Sequence, residues 1–258
     1  MKNLFKRYLM PVLILSVSLI TICAQQALPD KPFNQWSKKE AETVLNDSQW
    51  ARKQEIRIKF DKETQAAAGS YSGTSEGKAT QSITEVTSQP PVDFIFTMRL
   101  RSALPVRQAL VRLRQLQTDI EKKSAKELAA FDAQTKGILE CPACSENYVV
   151  TLSCKSTNSP GADAVYTVFK GGREADLQRF VYIANDHGDR RPLVHFVAPR
   201  AAGDEAIFFF QRFDDKGMPL LSVDSKDLFV NLNDNQANSI SNFKFDVAKL
   251  VLNGKVEF

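Results

Sequence analysis

The feature that most constrains the fold is a change in hydrophobic periodicity at Tyr148. Beyond it, apolar and polar residues alternate in short runs, which sequences such as Gly171-Gly172 and Asn253-Gly254 separate. Because successive side chains of a strand point to opposite faces, this period of two predicts β-strands. Short strands joined by such turns are typical of an antiparallel sandwich or open barrel. The predicted strands are Glu55–Phe60, Val92–Leu100, Tyr148–Cys154, Ala164–Phe169, Gln178–Ala184, Leu193–Ala198, Ala206–Phe213, Leu220–Val223, Phe243–Val247 and Val256–Phe258.

The helical patterns lie upstream of this region. Ser37 and Glu40 have the spacing of a capping box and predict a short helix. Ser102 predicts the start of a long helix that runs to about Gln134, with Pro105 in its first turn. Together these patterns predict an α+β fold: an antiparallel β-rich body (sandwich or open barrel), one long amphipathic helix packed on it and a short N-terminal helix. The apolar stripe of the long helix comprises Val106, Ala109, Leu110, Leu113, Leu116 and Ile120.

The first 24 residues have the pattern of a signal peptide. Three basic residues precede an apolar run from Leu9 to Ile22, which is shorter than the roughly 20 residues of a membrane span. We predict cleavage after Ala24 and a periplasmic or secreted protein that contacts the membrane only through this segment. An uncleaved anchor is the alternative; acylation of Cys23 is disfavoured by the bulky Ile22 before it.

The remaining chain divides by composition. Residues 25–65 form an extended leader, a short helix and a strand, and residues 92–258 form the α+β domain. Between them, 66–91 is rich in Ala, Gly, Ser and Thr and predicts a flexible low-complexity loop. Removing the three basic residues of 1–24 from the total of 34 leaves 31 basic against 30 acidic residues. So small a net charge does not predict a nucleic-acid partner.

Three cysteines outside the signal segment are the most distinctive chemical feature. Cys141 and Cys144 form a C-x-x-C sequence, and Cys154 follows ten residues later. They are candidates first for a structural disulfide or free structural thiols, and equally but more weakly for a redox pair and for a metal site, because no thioredoxin-like pattern surrounds them. Zinc needs four ligands, and His187 and His195 are the only histidines and lie far along the chain. The sequence predicts no cofactor.

Arginines border the predicted long helix. Arg101, Arg107, Arg112 and Arg114 flank its apolar stripe and either pair with acidic residues of the sheet or bind a small anionic ligand. His187 lies in a polar sequence typical of a hairpin turn. His195 lies in a predicted strand, where we expect a buried core position.

Three parts of the chain carry a resemblance to a known family. They are residues 36–41 (WSKKEA), residues 101–109 (RSALPVRQA) and the stretch from VYIANDHGDRR at 181–191 to FFFQRFDDKG at 208–217. The sequence resembles an uncharacterised family of exported bacterial proteins of the acidobacterial type, over most of 32–258. This resemblance implies export and a shared fold, and it supplies no functional residues.

The chain contains no H-E-x-x-H, Walker or dinucleotide-binding motif, which argues against an enzyme of those classes. The leading hypothesis is a non-enzymatic envelope or secreted module with a binding or structural role, whose partner is another envelope protein or a small anionic ligand. The alternative is a periplasmic thiol-disulfide or metal-binding protein that uses Cys141, Cys144 and Cys154.

Overall fold

The computed structural model describes residues 28–58, 91–222, 224–232 and 242–258. The predicted signal peptide at 1–24 lies outside these residues, and so does the predicted flexible loop except for Pro91. Both stay predictions from the sequence.

The core of the protein is one antiparallel sheet of eight strands in the order β1-β2-β3-β6-β5-β4-β7-β8, and a small hairpin, β9–β10, lies beside it. Every pair of neighbouring strands is antiparallel. The strands are β1 Ala51–Ile58, β2 Val92–Leu100, β3 Asn147–Ser156, β4 Tyr182–Asn185, β5 Arg190–Val197, β6 Ala206–Gln211, β7 Asp227–Asn231, β8 Phe243–Asp246, β9 Val251–Leu252 and β10 Lys255–Val256.

The two edge strands of this sheet approach each other. The Arg52 Nε of β1 donates a hydrogen bond to the Lys244 carbonyl of β8 at 2.9 Å, and the Arg52 guanidinium lies 5.1 Å from the centre of the Phe245 ring. The sheet is therefore nearly closed and barrel-like, in agreement with the predicted antiparallel body. Near-closure protects edge strands that would otherwise present unpaired backbone groups.

Five helices accompany the sheet within the described residues. The short N-terminal helix is confirmed: Ser37 and Glu40 form the predicted capping box, and one face of the helix is buried. The helices are α1 Lys38–Asn46, α2 Leu104–Gln117, α3 Ala125–Glu140, α4 Ala164–Phe169 and α5 Glu174–Leu177, with short 3₁₀ turns at Phe33–Gln35, Ile120–Lys122, Pro142–Cys144 and Val247–Lys249.

The single long helix is not confirmed, because its residues form two helices, α2 and α3, with an interruption between them. Asp119 adopts a left-handed backbone conformation with φ of 48°, which ends the first helix. Ser124 and Glu127 then form a second capping box that starts α3. The start of α2 also differs from the prediction: Ala103 is its N-cap, and the Ser102 hydroxyl accepts a hydrogen bond from the Val149 N–H instead.

The predicted apolar stripe of α2 is fully buried only near the start of the helix. Val106 and Ala109 are fully buried, whereas Leu113 is only partly buried against the core. The main packing partner of α2 is α1, which itself contacts β1 and β2. The helix therefore reaches the sheet largely through α1.

Several strand predictions were wrong. Residues 164–169 form α4, because Asp163 caps a helix there and Val165 and Phe169 bury one helical face. The run predicted from Gln178 begins as a strand only at Tyr182. The predicted 220–223 segment is buried at Leu220 and Leu221 but forms no strand over its described residues 220–222, and β7 was not predicted.

Candidate functional site

Cys141 and Cys144 form a disulfide at the end of α3, with their Cα atoms 5.3 Å apart. Cys141 ends α3 in a left-handed conformation with φ of 43°, and a 3₁₀ turn follows at Pro142–Cys144. A bridge that closes a loop of about four residues stabilises a fold by only about 2 kcal/mol in the chain-entropy model.

The disulfide borders a surface cavity of about 530 Å³, which we call the disulfide hollow. It is open to solvent beside the disulfide, where Pro142 is exposed and both cysteines are half-buried. The hollow is lined by Ser102, Arg107, Glu140, Cys141, Pro142, Cys144, Ser145, Arg212, Phe213, Val256, Glu257 and Phe258.

Two arginines lie in the wall of this hollow with incompletely satisfied guanidinium groups. Arg107 donates to the Leu139 carbonyl near the end of α3, and its Nη2 lies 3.7 Å from Glu257 Oε1. Arg212 donates to the Phe258 carbonyl at 2.9 Å and lies 4.5 Å from the centre of the Tyr148 ring. The Nε atoms of both arginines are buried without a hydrogen-bond partner among the described residues. Burial lowers the pKa of both guanidinium groups, although arginine stays cationic in proteins.

Cys154 is separate from the other two cysteines. It lies on β3 opposite Phe96, and at about 3.3 Å per residue it is about 23 Å along the strand from Asn147. The thiol is buried, and burial raises its pKa. Within the described ranges, no three His, Cys, Asp or Glu side chains come together in a group that could hold a metal ion.

The four arginines proposed as an anion site are divided among three places. Arg107 lines the disulfide hollow. Arg112 is buried, and its Nε donates to the Trp36 carbonyl at 2.6 Å. Arg101 and Arg114 are brought together at a third place, beside β5 and β6.

This third place is a cavity of about 580 Å³, which we call the arginine hollow. Its lining combines arginines, two carboxylates and apolar residues of β5, β6 and the loop between them. It is lined by Arg101, Arg114, Val197, Ala198, Pro199, Arg200, Gly203, Asp204, Glu205 and Ile207. Arg200 was not predicted from the sequence, because nothing in the loop after β5 connects it to the helix that carries Arg114.

The carboxylates of the arginine hollow already have partners. Glu205 lies 2.8 Å from Arg99 and 3.7 Å from Arg101. Asp204 accepts hydrogen bonds from the backbone N–H groups of Arg200 and Ala201. By contrast, the exposed side chains of Arg114 and Arg200 make no ion pair or hydrogen bond with the described residues.

The two histidines belong to neither hollow. His187 lies in a turn as predicted, and its N–H donates to the Asn185 side chain that closes the turn. The expectation of a buried core position for His195 was wrong: its side chain is 60% exposed and lies 3.2 Å from Glu174. A register shift between Leu193 and His195 turns this residue outward.

Comparisons of the chain with protein-family models, with curated proteins and with solved structures find no match. No helix in the described parts of the chain is both long and apolar enough to cross a bilayer.

Proposed function

We propose that the protein is an exported, non-enzymatic binding module of the cell envelope or the secreted fraction, and that it binds a small anionic ligand in the arginine hollow. The observation that carries this proposal is the pair of guanidinium groups on Arg114 and Arg200, which share one cavity and have no partner among the described residues. Export in this proposal rests on the sequence of residues 1–24, and the family resemblance supports it.

The chemistry of the hollow favours an anion with a short apolar part. A guanidinium group presents donors in a planar fork that fits a carboxylate or phosphate. Because Glu205 is paired with Arg99 and Arg101, it does not neutralise Arg114 and Arg200. Val197 and Ile207 provide apolar surface beside these charges. A carboxylate on a short alkyl chain fits both features, and inorganic phosphate tests the charged part alone.

The test is calorimetric titration of the full chain with butyrate and with inorganic phosphate. Hydrogen bonds to charged groups contribute roughly 1.5–3 kcal/mol, so Arg114→Gln and Arg200→Gln should each weaken binding about tenfold or more. Arg179→Gln is the matched control, because Arg179 is exposed and lines neither hollow. Absence of binding by the wild-type protein, or an equal loss in the Arg179 variant, contradicts the proposal.

A second candidate function is thiol-disulfide exchange at Cys141 and Cys144. The observation that favours it is the position of their disulfide at an open hollow beside two arginines. A metal site of Cys141, Cys144 and Cys154 has less support, because the first two are bonded to each other and the third is buried elsewhere.

A further inference from the structure

We infer that the Cys141–Cys144 disulfide is an oxidant for dithiol substrates, and that the incoming thiolate attacks the sulfur of Cys141 so that Cys144 leaves. This inference rests on the second candidate function and is independent of anion binding in the arginine hollow. Three observations support it: the backbone holds the turn without the disulfide, the two sulfurs differ in electrostatic environment, and cationic groups line the hollow.

The turn that carries the cysteines is held by hydrogen bonds that do not involve sulfur. The Cys141 N–H donates to the Gly137 carbonyl at 3.1 Å, and the Cys144 N–H donates to the Cys141 carbonyl at 2.8 Å. The Asn147 side chain donates to the Ala143 carbonyl at 3.0 Å. Reduction of the disulfide therefore leaves the two thiols close together, ready to form the bond again.

The electrostatic environment distinguishes the two sulfurs. Cys141 lies at the C-terminal end of the 16-residue helix α3, where the helix dipole is negative. This position disfavours a thiolate on Cys141. Cys144 lies three residues beyond this helix end. Because the sulfur with the lower thiol pKa leaves faster, attack at Cys141 with departure of Cys144 is the favoured direction.

Arginines that line the hollow can stabilise the negative charge of the leaving thiolate. Arg107 and Arg212 line the hollow together with both cysteines. Glu140 is 3.6 Å from Lys136, and Glu257 accepts a hydrogen bond from the Leu104 N–H and lies 3.7 Å from Arg107. Arg212 makes no ion pair with the described residues, so its charge is the one that favours a leaving thiolate in the hollow.

The exchange is a two-electron reaction that balances between protein and substrate. A substrate thiolate forms a bond to Cys141 Sγ, the Cys141–Cys144 bond breaks, and its electron pair goes to Cys144 Sγ. The second substrate thiol loses its proton and attacks the substrate sulfur of this mixed disulfide, which releases Cys141 as a thiolate. The substrate becomes a disulfide, and the two protons that it loses convert Cys141 and Cys144 into thiols.

The experiment uses the full wild-type chain and glutathione, a monothiol that stops the reaction at the mixed disulfide. After a short exposure, free thiols are alkylated under acidic conditions, and peptide mass spectrometry identifies the cysteine that carries glutathione. We expect glutathione on Cys141 in about fivefold excess over Cys144, the size of a helix-end effect. The control is the same reaction in denaturing urea, where α3 is absent and the preference should disappear.

A second measurement tests the arginine contribution. Reduction by dithiothreitol should be about threefold slower in Arg212→Gln than in the wild type if the charge lowers the pKa of the leaving thiol by about one unit, because the exchange rate responds to about half of such a shift. Arg212→Lys keeps the charge and should recover most of the rate, whereas a merely structural role predicts no rescue. Circular dichroism before and after reduction checks that the fold persists.

The outcomes separate the inference from the function on which it rests. Glutathione on Cys144, or equal amounts on both cysteines in the folded chain, overturns the assignment of Cys141 but leaves exchange at this disulfide in place. A folded protein whose disulfide reacts no faster than in urea overturns both. Reaction that is faster in the folded chain than in urea, with a preference for Cys141 that disappears in urea, supports both.

Discussion

Replacing Arg99 with alanine should destabilise the protein more than any other single arginine substitution in the sheet. Arg99 is buried on β2 and connects three parts of the fold. Its Nε donates to the Leu45 carbonyl at the end of α1 at 2.7 Å. Its Nη1 donates to Ser153 on β3 and to Glu205 beside β6, both at 2.8 Å. The substitution therefore leaves the Leu45 carbonyl without this donor and the partly buried Glu205 carboxylate with only Arg101, at 3.7 Å.

The magnitude follows from this loss of partners. Breaking a buried ion pair on one side typically costs about 3–5 kcal/mol, because the remaining groups stay desolvated. The side chain of Arg99 is 9% exposed, whereas that of Glu205 is 24% exposed. Water can reach Glu205 in the variant, so we expect about 3 kcal/mol. At about 2–4 °C per kcal/mol for a domain of this size, the melting temperature should fall by about 6–12 °C.

Urea unfolding of Arg99→Ala and of Arg57→Ala, monitored by tryptophan fluorescence, provides the assay. Arg57 is a suitable control because it also pairs with an acid across the sheet, Asp93, but its side chain is 63% exposed. Exposed ion pairs contribute little, so the control should resemble the wild type. If the two variants lost similar stability, the interpretation of Arg99 as a buried connection between α1, β3 and β6 would be refuted.

Three further predictions concern other parts of the chain. Val106→Ala should cost about 2 kcal/mol in thermal or urea unfolding because Val106 is fully buried, whereas Leu128→Ala should cost less than about 0.5 kcal/mol. The Glu40 pKa is lowered from 4.5 to about 2, mainly by its hydrogen bond with Lys31. The stability that this group contributes is therefore present above pH 4.5 and is lost as the pH falls towards 2. Glu40→Gln should flatten the dependence of unfolding stability on pH between these values. Intact-mass analysis of exported protein should find a mature chain that begins near Gln25.

Each of these predictions has an opposing result. Equal losses in the Val106 and Leu128 variants would mean that α2 is peripheral to the core. An unchanged acid profile in Glu40→Gln would mean that the capping box of α1 does not contribute to acid sensitivity. A chain that retains Met1, or a diacylated Cys23, would contradict cleavage after Ala24.

The sequence determined those parts of the structure whose interactions join residues close together in the chain. The capping box at Ser37 and Glu40 was predicted correctly, because both residues and the helix end lie within four positions. A second capping box at Ser124 and Glu127 has the same spacing and starts α3, so the long predicted helix is divided there. The strands predicted at 92–100 and 148–154 correspond to β2 and β3, because these strands bury one face more than the other.

Other features depended on contacts between distant segments. Residues 164–169 have enough β-branched and aromatic residues for a strand, but Asp163 and the burial of one helical face make them α4. The sequence placed Cys141, Cys144 and Cys154 in one candidate group; the fold joins the first two and places the third in the sheet.

By itself the sequence determined the class of fold, the first helix and most strands, because periodicity and capping act within a few residues. Only the tertiary structure decided which arginines lie together. Arg101 and Arg114 meet Arg200 beside β6, and Arg107 meets Arg212 beside the disulfide. These neighbours are brought together by strand order, and strand order depends on which apolar faces can be buried against each other across the whole chain.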